Sequence, residues 1–330
     1  MTFVRTTTLA ACVAALGLAL LGGRASEPTR MGGIHPTSLP IVDTDLAVLS
    51  TGNAQPFDVR GAHRKATGRD VRVAVLDGGF DLQHPAVRRA WIGTGYDAVD
   101  QDRNAHDIGN GKDDDGDGVI DEGIGHGTFV AGQILWAAPD AHILPVRVRD
   151  DEGLGSDAAL LRGLRMAEQI GVDVVNLSVD CAASKPQRLF EALARLERRG
   201  VTIVVSAGND GRDRLSTLAG CPSAIAVAAV DGEGRLASFS NHVTARHVGL
   251  LAAPGVDLVG PFTRGRHARW SGTSFAAGLV SGWAAWLREA RPDLKGRAAG
   301  LHLCDCCEPV SGADHERLPF GRLTLEKVMD

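Results

Sequence analysis

Short apolar segments alternate with segments of helical periodicity along most of the chain. Near-continuous apolar stretches predict buried strands at residues 71–76, 142–148, 172–179, 202–206, 224–230 and 248–253. Leu160, Leu161, Leu164 and Ala167 recur at helical spacing, and a helix is also predicted at 187–199, before Gly200. The alternation predicts a single α/β domain, with a doubly wound, mostly parallel sheet flanked by helices.

The N-terminal region differs from the rest of the chain. Residues 1–25 combine Arg5 with an apolar core at 9–21 and small residues after it, the pattern of a secretory signal peptide. The core is too short to span a bilayer, and no later stretch predicts a membrane span. Residues 26–55 form a polar N-terminal extension, and the main domain is predicted at 56–330. This organisation predicts a secreted or periplasmic protein.

The overall composition is that of a soluble globular protein. The chain is 44% hydrophobic and 23% charged, with a net charge of −5 over 330 residues. This charge argues against a nucleic-acid partner. The composition favours no particular oligomeric state.

Three polar residues stand in glycine-rich turns in the order Asp, His, Ser. Asp77 ends an apolar strand, His126 opens a small-residue helix, and Ser274 opens a helix predicted to reach about Arg291. A serine at a helix N-terminus lies beside backbone N–H groups that have no helical partner. Each turn alone is typical of a cap or tight turn. In this order they predict a nucleophile, its base and the group that orients the base.

Five segments together resemble the subtilase family of serine peptidases. They are Asp77-Gly78-Gly79, Gly125-His126-Gly127-Thr128, Asn176-Leu177-Ser178, Ala207-Gly208-Asn209 and Gly272-Thr273-Ser274. The resemblance covers roughly residues 55 to 330 and implies a subtilisin-like fold and serine endopeptidase activity. Asp77, His126 and Ser274 would then form the triad, with Asn209 binding the oxyanion. A non-catalytic scaffold of the same fold and an ester hydrolase using the same site remain alternatives.

The resemblance also implies where an extended peptide or protein substrate binds. Two backbone edges would clamp the substrate by β-augmentation. The first edge is Gly153, Leu154 and Gly155, and the second is Ser178, Val179 and Asp180. The family usually has glycine at the position of Asp180, and the substitution predicts either a narrower S1 pocket or a preference for a basic residue.

Two further positions depart from the family pattern. Gly78 stands where a Thr or Ser usually follows the catalytic Asp, and Gly278 stands where a proline is usual. A glycine at position 78 offers no hydroxyl to orient the carboxylate. A glycine at position 278 lowers helix propensity.

An acidic, glycine-rich segment at 110–122 precedes His126. Alternating carboxylates, a glycine at the sixth position and an aliphatic at the eighth match the first part of an EF-hand calcium loop. Ile124 occupies the position of the closing Glu, so Asp121 or Glu122 is expected to replace it. A solvated acidic loop is the alternative, but the glycines and Val119-Ile120 favour Ca²⁺. The predicted ligands are Asp113, Asp115, Asp117, Asp121 and Glu122.

Removal of the predicted signal peptide leaves an odd number of cysteines: Cys181, Cys221, Cys304, Cys306 and Cys307. The resemblance places Cys181 and Cys221 near the S1 pocket and implies a disulfide between them. The cluster at 304–307 lacks a second ligand group at zinc spacing. It favours a local disulfide plus one thiol over a metal site.

Overall fold

The computed structural model describes residues 29–30, 40–43, 59–179, 186–244, 249–310 and 312–329. These residues form seven α-helices: α1 Arg60–His63, α2 His126–Ala137, α3 Asp157–Ile170, α4 Gln187–Arg198, α5 Thr273–Ala290, α6 Arg297–Asp305 and α7 Leu325–Met329. They also form fourteen strands: β1 Thr29–Arg30, β2 Ile41–Asp43, β3 Arg72–Asp77, β4 Tyr96–Asp97, β5 His142–Arg147, β6 Leu154–Gly155, β7 Val174–Leu177, β8 Thr202–Ser206, β9 Ala224–Val230, β10 Leu250–Pro254, β11 Leu258–Pro261, β12 His267–Trp270, β13 Cys307–Glu308 and β14 Arg322–Leu323.

The main sheet has nine strands in the order β13-β14-β10-β9-β8-β7-β3-β5-β4. Every neighbouring pair is parallel except β13 and β14. The carboxyl ends of β3, β5, β7 and β8 therefore meet at one edge, which is where ligands bind in open α/β sheets. Two smaller antiparallel sheets, β11-β12-β2 and β1-β6, complete the strand pairing of the described residues.

Both faces of the main sheet are buried under helices. Along β3, Val73 and Val75 belong to a core that includes residues of α2 and α5, whereas Ala74 and Leu76 belong to a core that includes residues of α3 and α4. This alternation follows from the two-residue period of a strand. The predicted fold class, a doubly wound and mostly parallel α/β sheet, is confirmed.

Helices α2 and α5 approach each other closely through glycines. A Cβ added to Gly282 would lie 2.5 Å from the Ile134 carbonyl oxygen, and one added to Gly278 would lie 3.1 Å from that of Val130. The glycine at 278, a departure from the family's proline, therefore has a packing reason. The close packing holds together the two helices on which His126 and Ser274 lie.

Candidate active site

Asp77 and His126 form a buried, hydrogen-bonded pair. Asp77 is the last residue of β3, and His126 is the first of α2, after Gly125 in the left-handed conformation at φ 83°. The His126 Nδ1 atom lies 2.8 Å from Asp77 Oδ1 and 3.0 Å from Oδ2. The side chains are 0% and 5% exposed. Hydrogen bonding at Nδ1 orients the imidazole and leaves Nε2 as the atom that can accept a proton.

Burial and the surrounding charges shift the pKa values of both residues. Burial alone would raise the pKa of Asp77, but the charges of His126 and Arg149, with hydrogen bonds from His126 and Gly78, lower it to about 2. Burial lowers the pKa of His126; Asp77 opposes this shift, and the cation of Arg149 reinforces it. An ionised Asp77 beside a neutral His126 is the state that a general base requires.

Ser274 is the second residue of α5, where its backbone N–H has no partner within the helix. It is 6% exposed. Its hydroxyl donates to the Ser178 carbonyl oxygen at 3.5 Å, and the Ser178 hydroxyl donates to the Ser274 carbonyl oxygen at 3.0 Å. The imidazole of His126 packs beside Phe275, with ring centroids 5.2 Å apart. Catalytic hydrogen bonds are often long in unliganded sites and tighten when substrate binds.

Asn209 follows β8 and is held by the turn that carries the nucleophile. Its Oδ1 accepts hydrogen bonds from the backbone N–H of Thr273 at 3.0 Å and from the Thr273 hydroxyl at 2.8 Å. Because the amide oxygen is engaged, the NH₂ end is directed elsewhere. A Cβ added to Gly272 would lie 3.9 Å from the Asn209 Nδ2 atom, so the NH₂ group lies beside the turn that carries Ser274. A neutral amide so fixed can donate to a developing oxyanion.

Arg149 also contacts the Asp77–His126 pair, although no local sequence pattern indicates it. Its side chain is 1% exposed, and its Nη2 lies 2.8 Å from Asp77 Oδ1 and 2.9 Å from His126 Nδ1. The position follows from strand register, because Arg147 lies opposite Asp77 in the pairing of β3 with β5. The glycine at position 78 was an available signal. A Cβ there would lie 3.3 Å from Arg149 Nε, so the guanidinium occupies space next to the missing side chain.

Gly78 itself helps to orient the carboxylate, although it has no hydroxyl. Its backbone N–H donates to Asp77 Oδ1 at 2.7 Å. With the guanidinium of Arg149 as a second donor, Asp77 is fixed without the Thr or Ser usual at this position.

Of the two predicted substrate edges, the first is already paired within the chain. Leu154–Gly155 forms β6, which pairs antiparallel with Thr29–Arg30 of the N-terminal extension. Gly153 lies just before β6 in a left-handed conformation at φ 74°. This edge therefore has backbone groups placed for β-augmentation.

The second edge lies against the nucleophile. Ser178 is 2% exposed and Val179 is 1% exposed, and Ser178 makes the contacts with Ser274 described above. Asp180 lies outside the described residues.

The acidic loop forms two groups of carboxylates rather than one. In each group the candidate ligand atoms lie within 4.8 Å of one another; the groups are Asp113, Asp115 and Asp117, and then Asp115, Glu122 and Glu152. Asp121 belongs to neither: its carboxylate accepts from the backbone N–H groups of Asn110 and Gly111. Glu152 follows β5, 30 residues along the chain from Glu122, so the pattern of the acidic loop does not predict it. A glutamate just before the predicted substrate edge was the only signal.

Cys221 is 1% exposed, and its thiol is free. The disulfide predicted between Cys221 and Cys181, which lies outside the described residues, is therefore not formed in this structure. Cys304, Cys306 and Cys307 are in the thiol form as well, so these three described residues do not contain the local disulfide expected there.

The fold is that of the subtilisin-like proteins, a mostly parallel α/β sheet flanked by helices. Residues 68–303 match the family model described as the Subtilase family. The chain therefore belongs to the subtilase family.

Curated relatives and solved structures agree with this assignment. The chain is 36% identical over 225 residues to the "Thermophilic serine proteinase" of Bacillus sp. (strain AK1), covering 65% of this chain and 51% of that protein. It is 31% identical over 293 residues to the "M-protease" of Shouchella clausii (strain KSM-K16), covering 81% of this chain and 70% of that protein. The first relative is thus about twice as long as the matched region.

Among solved structures, the chain is similar to "a cold adapted subtilisin-like serine proteinase". The TM-score is 0.64 at 25% identity, and the match covers 78% of this chain and 88% of that one. A protease from Pseudoalteromonas arctica PAMC 21717 has a TM-score of 0.71 at 23% identity, covering 85% and 95%. At that identity the second match bears on the fold alone.

Proposed function

We propose that this protein is a serine endopeptidase that hydrolyses peptide bonds through Ser274, His126 and Asp77. The observation that carries the proposal is the buried Asp77–His126 pair, 2.8 Å between Oδ1 and Nδ1, packed beside the helix N-terminus that bears Ser274. Family membership supports the reaction class.

The reaction follows from the roles of these atoms. Ser274 Oγ attacks the scissile carbonyl carbon while its proton passes to His126 Nε2. The tetrahedral oxyanion accepts hydrogen bonds from the Ser274 backbone N–H and the Asn209 amide. Collapse breaks the C–N bond, and the leaving amine takes the proton from His126. Water then hydrolyses the acyl-enzyme ester, with His126 as base, and the acid product leaves.

Substrate is proposed to bind as an extended strand on β6. The antiparallel pairing of Thr29–Arg30 with Leu154–Gly155 supports this, because an incoming peptide would use the same backbone groups. Substrate would then have to displace this part of the N-terminal extension.

A serine-directed peptidyl phosphonate tests the activity directly. Purified protein should form a covalent adduct at Ser274, identified by mass spectrometry, and should cleave peptide substrates. The His126→Ala variant, checked for folding by circular dichroism, should form the adduct far more slowly. Folded wild-type protein that neither reacts nor cleaves any peptide would reject the proposal.

We also propose that the chain is exported, on the basis of the signal pattern at residues 1–25, which lie outside the described residues. No helix in the described part of the chain is both long and apolar enough to cross a membrane. N-terminal sequencing of protein recovered from culture medium or periplasm should give a start near residue 26. Retention of residue 1 on cytoplasmic protein would contradict export.

Finally, Ca²⁺ is proposed to bind the acidic loop. Subtilases commonly bind structural calcium, and the residues present fit it: every candidate ligand is a carboxylate, the donor that this hard ion prefers. The strongest support is Glu152, which is 1% exposed and whose Oε2 has no hydrogen-bond partner in the described structure. Burial raises the pKa of Glu152. Glu152 Oε1 accepts from the Asp121 backbone N–H at 3.1 Å, but a buried carboxylate oxygen left without a partner, such as Oε2, is unfavourable unless a cation binds it.

The ion would be held by Asp115, Glu122 and Glu152, with Asp113 and Asp117 completing the loop. It would contribute structure rather than chemistry. Glu152 lies two residues before the start of β6, and the Gly123 backbone N–H donates to the Asp151 carbonyl oxygen at 2.8 Å. A bound ion would thus tie the loop before His126 to the loop before the substrate edge.

A further inference from the structure

Arg149 lies against both members of the buried Asp77–His126 pair. Its guanidinium is almost fully buried, at 1% exposure, and its ion pair is with Asp77 at 2.8 Å. Its Nε has no hydrogen-bond partner in the described residues. Arg149 is therefore a buried cation paired with the Asp77 carboxylate, and this same carboxylate orients the His126 imidazole.

The donors around Asp77 fix the carboxylate from several sides. Oδ1 lies 2.7 Å from the Gly78 N, 2.8 Å from Arg149 Nη2 and 2.8 Å from His126 Nδ1, while Oδ2 lies 3.0 Å from Nδ1. With Oδ1 occupied by two other donors, the imidazole N–H can use Oδ2. The 2.9 Å between Arg149 Nη2 and His126 Nδ1 then places a guanidinium directly beside the ring.

We propose that Arg149 is a positioning residue of the triad: it holds the Asp77 carboxylate in place and, as a cation next to the imidazole, disfavours protonation of His126. His126 therefore stays neutral down to a more acidic pH than it would with a neutral side chain at position 149. The enzyme should remain active over the same additional range of pH. The inference rests on the proposed peptidase function, but part of its test does not require activity.

Gly78 and Arg149 form a matched pair in this arrangement. A Cβ at position 78 would lie 3.3 Å from Arg149 Nε, closer than most real contacts, and 3.5 Å from its Cγ, an ordinary van der Waals distance. The absence of a side chain at 78 gives the guanidinium its space. We expect Gly78→Ser to lower activity in the wild type and to be tolerated when Arg149 is replaced by Leu, a coupling that a double-mutant cycle measures.

Two aromatic rings and one further carboxyl group also lie near His126. Trp270 and Phe275 present uncharged rings, with centroids 5.5 Å and 5.2 Å from the imidazole. Asp107 is the remaining titratable neighbour: its Oδ2 accepts from the Gly125 N–H at 2.6 Å, and burial raises its pKa to about 6. The field of Arg149 acts in the same sense as burial, which lowers the pKa of His126.

The first test is the pH dependence of kcat/KM, whose acidic limb reports the essential base of the free enzyme. Removing the cation raises the pKa of His126, so the acidic limb of Arg149→Leu should move to higher pH by about one unit. Arg149→Lys should restore most of the shift. Arg162→Leu is the matched control, because it removes an arginine that bonds to the Ala98 carbonyl oxygen, away from the triad. The acidic limb of the pH profile of Arg162→Leu should coincide with that of the wild type.

The second test titrates His126 by NMR in the inactive Ser274→Ala background, so it holds whether or not peptides are cleaved. The His126 resonance is assigned by its loss in His126→Ala and should titrate at higher pH when Arg149 is Leu or Gln. Gln retains a donor without the charge and serves if Leu prevents folding. Asp107→Asn identifies any inflection due to Asp107. An unchanged His126 titration in both Arg149 variants would overturn the inference, whereas an inactive wild type with a shifted titration would reject only the peptidase proposal.

Discussion

Two buried carboxylates, those of Asp77 and Glu152, lie near each other along the chain but have opposite electrostatic surroundings. Asp77, 0% exposed, receives a guanidinium, an imidazole and a backbone N–H. Glu152, 1% exposed, faces two further carboxylates, and its Oε2 has no partner in the described residues. In the first case the protein supplies compensating positive charge. In the second, Glu152 Oε1 accepts from the Asp121 backbone N–H at 3.1 Å, but the neighbouring side chains add negative charge.

This difference predicts that the two regions differ in whether their geometry depends on a bound ion. The Asp77–His126 geometry should be formed by the polypeptide alone, because its counter-charges are covalently part of it. The geometry of the acidic loop should depend on a bound cation. The two regions are adjacent, since Glu152 is three residues from Arg149.

The largest effect is expected at the nucleophile and its base. Ser274→Ala and His126→Ala should each lower kcat by about 10⁶-fold, and the double variant should be scarcely worse because the residues act as a unit. Steady-state assays with a sensitive peptide ester or amide measure this. Additive losses would show that the two side chains do not act together.

Asp77→Asn should affect both catalysis and folding. It should lower kcat by about 10⁴-fold, because the imidazole loses the carboxylate that sets its tautomer. It should also lower the free energy of unfolding by about 3–5 kcal/mol, because Arg149 is left buried without its ion-pair partner. Denaturant titration measures the second effect.

Adding Arg149→Leu to Asp77→Asn provides the control. It should restore most of the lost stability and none of the activity. If the double variant is as unstable as Asp77→Asn alone, the loss does not come from the unpaired guanidinium.

Local patterns were sufficient for much of the fold. Apolar runs placed β8 and β9 at the predicted residues, and Ser156 caps α3 by accepting from the Ala159 N–H at 3.2 Å. The strand predicted at 172–179 ends earlier, at Leu177, because Ser178 turns its polar groups to the nucleophile turn.

The two residues that escaped prediction owe their positions to long-range register. Arg149 reaches Asp77 because β5 pairs beside β3, and Glu152 reaches Asp115 because the loop after β5 folds back on the acidic segment. Neither relation leaves a local pattern. Motifs recover residues that share a turn with glycine, such as His126 and Ser274, but do not recover a charge supplied by a neighbouring strand.

Removal of calcium tests whether the acidic loop depends on a bound ion for its structure. An ion present at a hundred times its dissociation constant would add about 2.7 kcal/mol to the free energy of unfolding. Chelation should therefore lower the melting temperature by several degrees and also reduce activity, since the loop leads into His126. Melting curves and assays with chelator, and after restoring excess Ca²⁺, measure both. Unchanged curves would identify the segment as a solvated acidic loop.

The smallest effect, and the sharpest distinction, is expected from Glu152→Gln. With excess Ca²⁺ the variant loses a charged ligand and should be about 1 kcal/mol less stable than the wild type. In chelator it should instead be more stable by a similar amount, because one of three crowded negative charges is gone. Asp114→Asn is the matched control, since its carboxylate belongs to the same loop but to neither group. It should change stability little in either condition. An effect of Glu152→Gln with the same sign in both conditions would mean that Glu152 has a structural role that does not depend on the ion.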